Sequence, residues 1–130
     1  MAEISPGRIL IVDDDKVFIK ALGDTLRDEG YSVVPAIGGQ AGIEAFRNAL
    51  EKNEPFALVI SDLGMMDVDG RQVVNAVKAD SPSTPVVLMT GWGEWFEGKE
   101  SLLLPVDQVM SKPPKLAELR QMLAKCIGGK

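Results

Sequence analysis

At 130 residues, with 45% apolar and 25% charged side chains, the chain is sized and composed for one soluble globular domain around a single core. The absence of histidine and the lone Cys126 exclude Ser-His-Asp catalysis, imidazole-ligated zinc, an internal disulfide and a thiolate metal cluster. A net charge of −5 argues against direct nucleic-acid binding, and neither a membrane span nor a signal peptide can be read from the sequence, so a cytoplasmic protein is expected.

Short apolar runs alternate with longer stretches of helical period. "RILIV" (Arg8–Val12) predicts a first strand. In "KVFIKALGDTLRDEG" a helix follows, with Val17, Phe18, Ala21, Leu22, Thr25 and Leu26 on one face and Gly30 as its stop. "YSVVPA" is a weaker second strand, and Pro35 places it at a sheet edge or a strand end. A second helix spans "GQAGIEAFRNALEK", with Ala41, Ala45, Phe46, Ala49 and Leu50 inward. "FALVIS" (Phe56–Ser61) is a third strand, apolar throughout as expected when both faces are covered.

"GRQVVNAVKAD" predicts a third helix ended by the Pro82 and Pro85 loop, and "VVLMT" (Val86–Thr90) a fourth strand. The segment "GWGEWFEGKESLLLP" fits either a loop or a fourth helix; its Trp95 and Phe96 would pack that helix onto the sheet or face a partner. "QVMS" (Gln108–Ser111) is a fifth strand, and "KLAELRQMLAKCI" a closing helix striped by Leu116, Leu119 and Leu123. Strand–helix alternation predicts one α/β domain over residues 1–130, core about 8–127, with no effector domain in this chain. Right-handed crossovers favour a flavodoxin-like, doubly wound sheet of five parallel strands in order 2-1-3-4-5, helices on both faces.

Polar residues collect where these strands end. Asp13 and Asp14 follow the first, Asp62 the third, Thr90 ends the fourth, and Lys112 follows the fifth. Ligands of open α/β sheets bind beyond the carboxyl ends of the strands. Singly, each residue has a plainer reading: an Asp after a strand forms a turn or caps a helix, as is expected of Asp15, a Thr bonds backbone, and a Lys before proline is solvated. Their gathering on one rim needs a cation, because two carboxylates about 4 Å apart repel by roughly 4 kcal/mol at an effective dielectric near 20. Hard oxygen ligands suit Mg²⁺, with Asp13 and Asp14 as ligands beside Asp62. Asp62 is then a nucleophile toward phosphorus, while Lys112 and Thr90 meet phosphoryl oxygens.

Together "IVDDD", "VISDLGMMDVDG", "VVLMTGWG" and "VMSKPP" resemble the receiver domain of two-component response regulators, from Arg8 to Ile127. The resemblance implies a phosphoacceptor at Asp62 and Mg²⁺, or Mn²⁺ in its place, held by Asp13, Asp14, Asp62 and the backbone carbonyl of Gly64. It implies phosphoryl contacts from Thr90 and Lys112 and a cis Lys112–Pro113 bond. The partners it implies are a histidine kinase or histidine phosphotransfer protein as donor, and a downstream protein. That protein would read the family's fourth helix, fifth strand and fifth helix. Such a domain catalyses its own phosphorylation and dephosphorylation without being a conventional enzyme.

Two departures stand out. Val109 sits where the family usually has an aromatic switch residue, and Met66 replaces a common proline. At the positions that tune phosphoryl loss stand Gly64, without a side chain to align water, and Trp92, bulky enough to shield the site; a long-lived phosphoryl group is expected. Two rival readings stay open. One is a docking module of receiver fold that works without phosphorylation. The other is a phosphatase of the haloacid-dehalogenase type, for which "LIVDDDKV" would supply Asp13 as nucleophile and Asp15 as general acid.

Overall fold

The computed structural model describes residues 7–91 and 105–127. Its elements are β1 (Arg8–Asp13), α1 (Lys16–Asp28), β2 (Ser32–Ile37), α2 (Gly39–Glu51), β3 (Leu58–Asp62), α3 (Gly70–Asp80), β4 (Val86–Thr90), β5 (Gln108–Ser111) and α4 (Leu116–Ile127). This last helix is the fifth of the expected pattern. Trp92, Trp95, Phe96 and the expected fourth helix lie outside the described residues.

The five strands pair in parallel in the order β2-β1-β3-β4-β5, as the alternation predicts. Every residue of β3 and β4 is buried, which explains why those runs are continuously apolar. Pro35 lies on β2, at the sheet edge. Successive residues of one strand serve opposite faces. Leu10, Val12, Val59 and Leu88 pack with Phe46, Val73 and Val77 of α2 and α3. On the other face Ile9, Ile11, Ile60 and Met89 pack with Leu22, Leu26 and Met122 of α1 and α4.

The structure corrects three readings. The buried stripe of α1 is Ile19, Leu22, Gly23 and Leu26, while Val17 is 79% exposed and Ala21 faces solvent. Gly23 belongs to the buried side, where a Cβ would lie 3.6 Å from Val33 Cγ1 of β2, and a glycine is not counted by apolar periodicity. In α4 the stripe is Leu119, Met122 and Leu123, and Leu116 stands 45% exposed in the first turn, beyond the sheet's end. β3 begins at Leu58 rather than Phe56; the Phe56 ring instead stacks against Phe46, 6.4 Å between centroids, under the Arg8 guanidinium.

Candidate functional site

The sheet register delivers the polar residues to one rim. Val12 is opposite Ser61, so Asp13 and Asp62 leave neighbouring strands side by side; Asp62 is opposite Met89, and Thr90 is opposite Ser111. Asp13, Asp62 and Thr90 are all buried, at 2%, 7% and 3% exposure. Lys112 follows β5 and reaches back over them. Its Nζ donates to Asp13 Oδ2 at 3.0 Å, lies 3.6 Å from Asp62 Oδ1, and sits 4.6 Å from the centre of the Phe18 ring. The Lys112 backbone N–H donates to the Thr90 carbonyl at 2.9 Å, and the Lys112–Pro113 bond is cis.

Lys112 is therefore the cation that makes two buried carboxylates tolerable in this structure. Burial opposes its charge, but the hydrogen bond to Asp13 and the charge of Asp62 outweigh it and raise its pKa above the ordinary 10.5. A lysine that holds its proton more tightly when folded stabilises fully below the unfolded value and loses that contribution as pH rises through the folded one. In metal-free buffer, Lys112→Met is expected to lower stability by about 2 kcal/mol, below the roughly 3–5 kcal/mol of a fully buried broken pair because the ammonium is partly solvated. Urea titrations should show that gap holding up to about pH 10 and closing above it. A gap independent of pH would mean that lost packing, not lost charge, causes it.

Asp14 and Asp15 have separate duties. The Asp15 carboxylate caps α1, accepting from the N–H groups of Val17 and Phe18 at 3.0 and 3.1 Å. That is the plain helix-cap reading, and it leaves the phosphatase reading without its general acid. Asp14 is exposed, and its Oδ2 accepts from the Met66 N–H at 2.9 Å. Asp13 Oδ1 accepts from the Asp15 N–H at 2.9 Å.

Among the described residues, no three His, Cys, Asp or Glu side chains form a cluster that would by itself hold a metal. The donors on the rim, Asp13 and Asp62 with Asp14 nearby, are nonetheless of the kind Mg²⁺ uses: one or two carboxylates, the remaining positions filled by water or phosphate oxygen. The residues fit Mg²⁺ on those terms. Gly64 lies exposed in the loop between β3 and α3, and Val109 is half-buried against the α2–α3 side of the core. Trp92 lies outside the described residues.

Sequence reasoning missed the Phe18 ring beside Lys112 and the Met66 N–H on Asp14. Only the second left a trace, since a residue other than proline at position 66 retains a backbone donor.

Comparison with known proteins agrees with this geometry. A family model, the response regulator receiver domain, matches residues 9–124. The transcriptional regulatory protein GlrR of Escherichia coli K12 is 35% identical over 108 residues, which is 83% of this chain and 23% of GlrR. The chain thus spans about a quarter of that relative's length. A response regulator receiver domain protein from Clostridium thermocellum superposes with a TM-score of 0.83 at 21% identity, covering 93% of this chain and 94% of its own. TrrA of Thermotoga maritima, solved in complex with Mg²⁺-BeF, superposes with a TM-score of 0.78 at 24% identity, covering 92% and 97%. Fold, family match and the order of motifs lead to one assignment: this chain belongs to the receiver domains of two-component response regulators, the phosphorelay signalling family.

Proposed function

We propose that Asp62 accepts a phosphoryl group from a phosphohistidine on a histidine kinase or histidine phosphotransfer protein, in a Mg²⁺-dependent reaction that changes the surface offered to a downstream partner. The observation that carries this reading is the placing of Lys112 Nζ between Asp13 and Asp62 at the carboxyl end of the sheet. An Asp62 oxygen attacks phosphorus, the bond from phosphorus to the donor imidazole nitrogen breaks, and that nitrogen keeps the electron pair; an acyl phosphate results. Lys112 turns from balancing carboxylates to pairing with a phosphoryl oxygen, and the Thr90 hydroxyl donates to another. The ligands assigned to Mg²⁺, or Mn²⁺ in its place, are Asp13, Asp14, Asp62 and the Gly64 carbonyl; when bound, the metal neutralises phosphoryl oxygens.

A docking surface for the donor is also at hand. The large apolar side chains most exposed among the described residues, Val17, Ile37, Met66 and Leu116, stand at or after carboxyl ends of strands, the edge of the sheet that carries the acids. An apolar collar around a charged centre suits a protein donor better than a small one. Val17→Glu should therefore slow transfer from a phosphohistidine protein several-fold more than transfer from acetyl phosphate. Equal slowing of both would remove the collar from this reading.

The output is assigned to the face of β5, α4 and the segment between β4 and β5, part of which lies outside the described residues. Val109 on that face lacks a ring to move toward Thr90, which is the observation that favours a docking module working without phosphorylation. No helix among the described residues is long and apolar enough to cross a membrane. A cytoplasmic location, without membrane or direct nucleic-acid binding, completes the proposal.

The test is intact-protein mass after incubation with acetyl phosphate. One phosphoryl group is expected with Mg²⁺ present and none after chelation. If phosphorylated histidine kinases also fail to modify the protein, the docking module is the better reading.

A further inference from the structure

The loop from Leu63 to Asp69, between β3 and α3, is fastened to two other loops by adjacent residues. Met66 gives its N–H to Asp14 Oδ2 at 2.9 Å. Asp67 takes the N–H groups of Gly39 and Gln40, at 3.1 and 3.2 Å, with its two carboxylate oxygens. Those are first-turn donors of α2, whose own cap position, Gly38, has no side chain to offer them and sits at φ 97°. Gly38 in turn gives its N–H to the Asp13 carbonyl at 3.0 Å. The fit at α2 is close: a Cβ on Gly39 would lie 2.0 Å from the Val68 carbonyl oxygen.

These contacts form one path from α2, through Asp67 and Met66, to Asp14. We propose that Met66 and Asp67 are positioning residues: the Met66 N–H holds the Asp14 carboxylate in place for the metal, and Asp67 locks the loop so that this N–H points at Asp14. The inference rests on the metal reading above and deepens it. A carboxylate has about four lone-pair sites, so Asp14 accepts the Met66 N–H and still presents Oδ1. Without the bond, an exposed side chain must be ordered when the cation arrives. Backbone donors, those of Val68 and Gln40 first, hold the Asp67 carboxyl below its ordinary value of 3.8, so the clasp stays charged at neutral pH.

Proline at position 66 removes this donor. Partners that orient metal ligands typically change affinity by about 10–100-fold, and the exposure of Asp14 places this one at the lower end. Met66→Pro is therefore expected to weaken Mg²⁺ binding about tenfold by calorimetric titration. Asp67→Ala, with its Met66 N–H intact, should weaken binding in the same direction. Asp67→Asn, which keeps an acceptor, should recover part of the loss, and Met66→Leu, which keeps the donor, should restore parent affinity.

A metal-free readout accompanies these. The exposed Met66 amide should exchange slowly with solvent in the parent and quickly in both Asp14→Ala and Asp67→Ala. Parent-like Mg²⁺ affinity in a folded Met66→Pro and in Asp67→Ala, with only the urea midpoint lowered, would overturn the proposal and leave Asp67 a helix cap. A parent that binds no Mg²⁺ would overturn the metal reading and this inference with it. Slow Met66 exchange would then show a clasp that serves the fold alone.

Discussion

Asp62→Asn is expected to take up no phosphoryl group from acetyl phosphate or from a phosphohistidine protein, with or without Mg²⁺. Loss of a nucleophile costs far more than loss of a helper, so the rate should fall at least about a thousandfold. The carboxamide keeps the shape of the side chain but has no anionic oxygen to attack phosphorus. No neighbour is ready to replace it: Asp13 is bound by Lys112 and the Asp15 N–H, Asp14 by the Met66 N–H, and Asp15 by the first turn of α1. The fold should survive, since the change removes one of two buried carboxylates beside a single ammonium. An intact mass without adduct and an unchanged far-ultraviolet spectrum would together meet the expectation. An adduct that persists in Asp62→Asn and disappears on removing Asp13 would restore the phosphatase reading.

Gly70→Ala should destabilise the fold strongly, since the added methyl group meets backbone on the strand that carries Asp62. The first residue of α3 lies under the end of β3, where a Cβ would stand 2.4 Å from the Asp62 carbonyl oxygen, 2.8 Å from Leu63 Cα and 3.1 Å from Leu88 Cδ2. Two of those atoms are backbone, so no rotamer change relieves the clash, and the helix start or the strand carrying Asp62 has to move. Overpacking of this kind costs about 3 kcal/mol. Gly23→Ala, inside α1, is the matched control. Its new Cβ meets only the tip of Arg27 at 3.3 Å and Val33 at 3.6 Å, and a helix-interior alanine stabilises by about 0.5–1 kcal/mol over glycine. Urea unfolding with an unchanged slope should show the two changes in opposite directions. A Gly70→Ala protein as stable as the parent would mean that α3 is far more loosely seated than it looks.

The strand ends were legible because the apolar runs of β1, β3, β4 and β5 stop at polar residues, and an open parallel sheet sends those ends to the same side. Asp13, Asp62, Thr90 and Lys112 could be gathered without coordinates for that reason. Bonds to the backbone were not legible. Asp14 turns to an N–H contributed 52 residues later, and Asp67 to donors 28 residues earlier, and an amide proton leaves no mark on a sequence unless proline removes it. Lys78 was hidden likewise: it joins the Thr84 carbonyl to the Asp107 carboxylate at the start of β4, a link that only the turn after α3 brings about. The buried face of α1 was misjudged because Gly23 sits in it beside Ile19, Leu22 and Leu26, and an apolar count passes over a glycine.

The alternation of β1, β3 and β4 between two sets of helices has a mechanical consequence. Ile60 and Val59 are neighbours in the chain, yet each belongs to a different apolar layer, and the sheet is a wall between them. Across the middle of the sheet, a change in packing behind one layer meets strand backbone before it meets the other layer. At Asp62 the side-chain link to the layer of α1 and α4 is Lys112, which lies over the Phe18 ring packed in that layer. The domain is thus two half-cores in parallel, and cavities cut on opposite sides of the wall should add their costs independently.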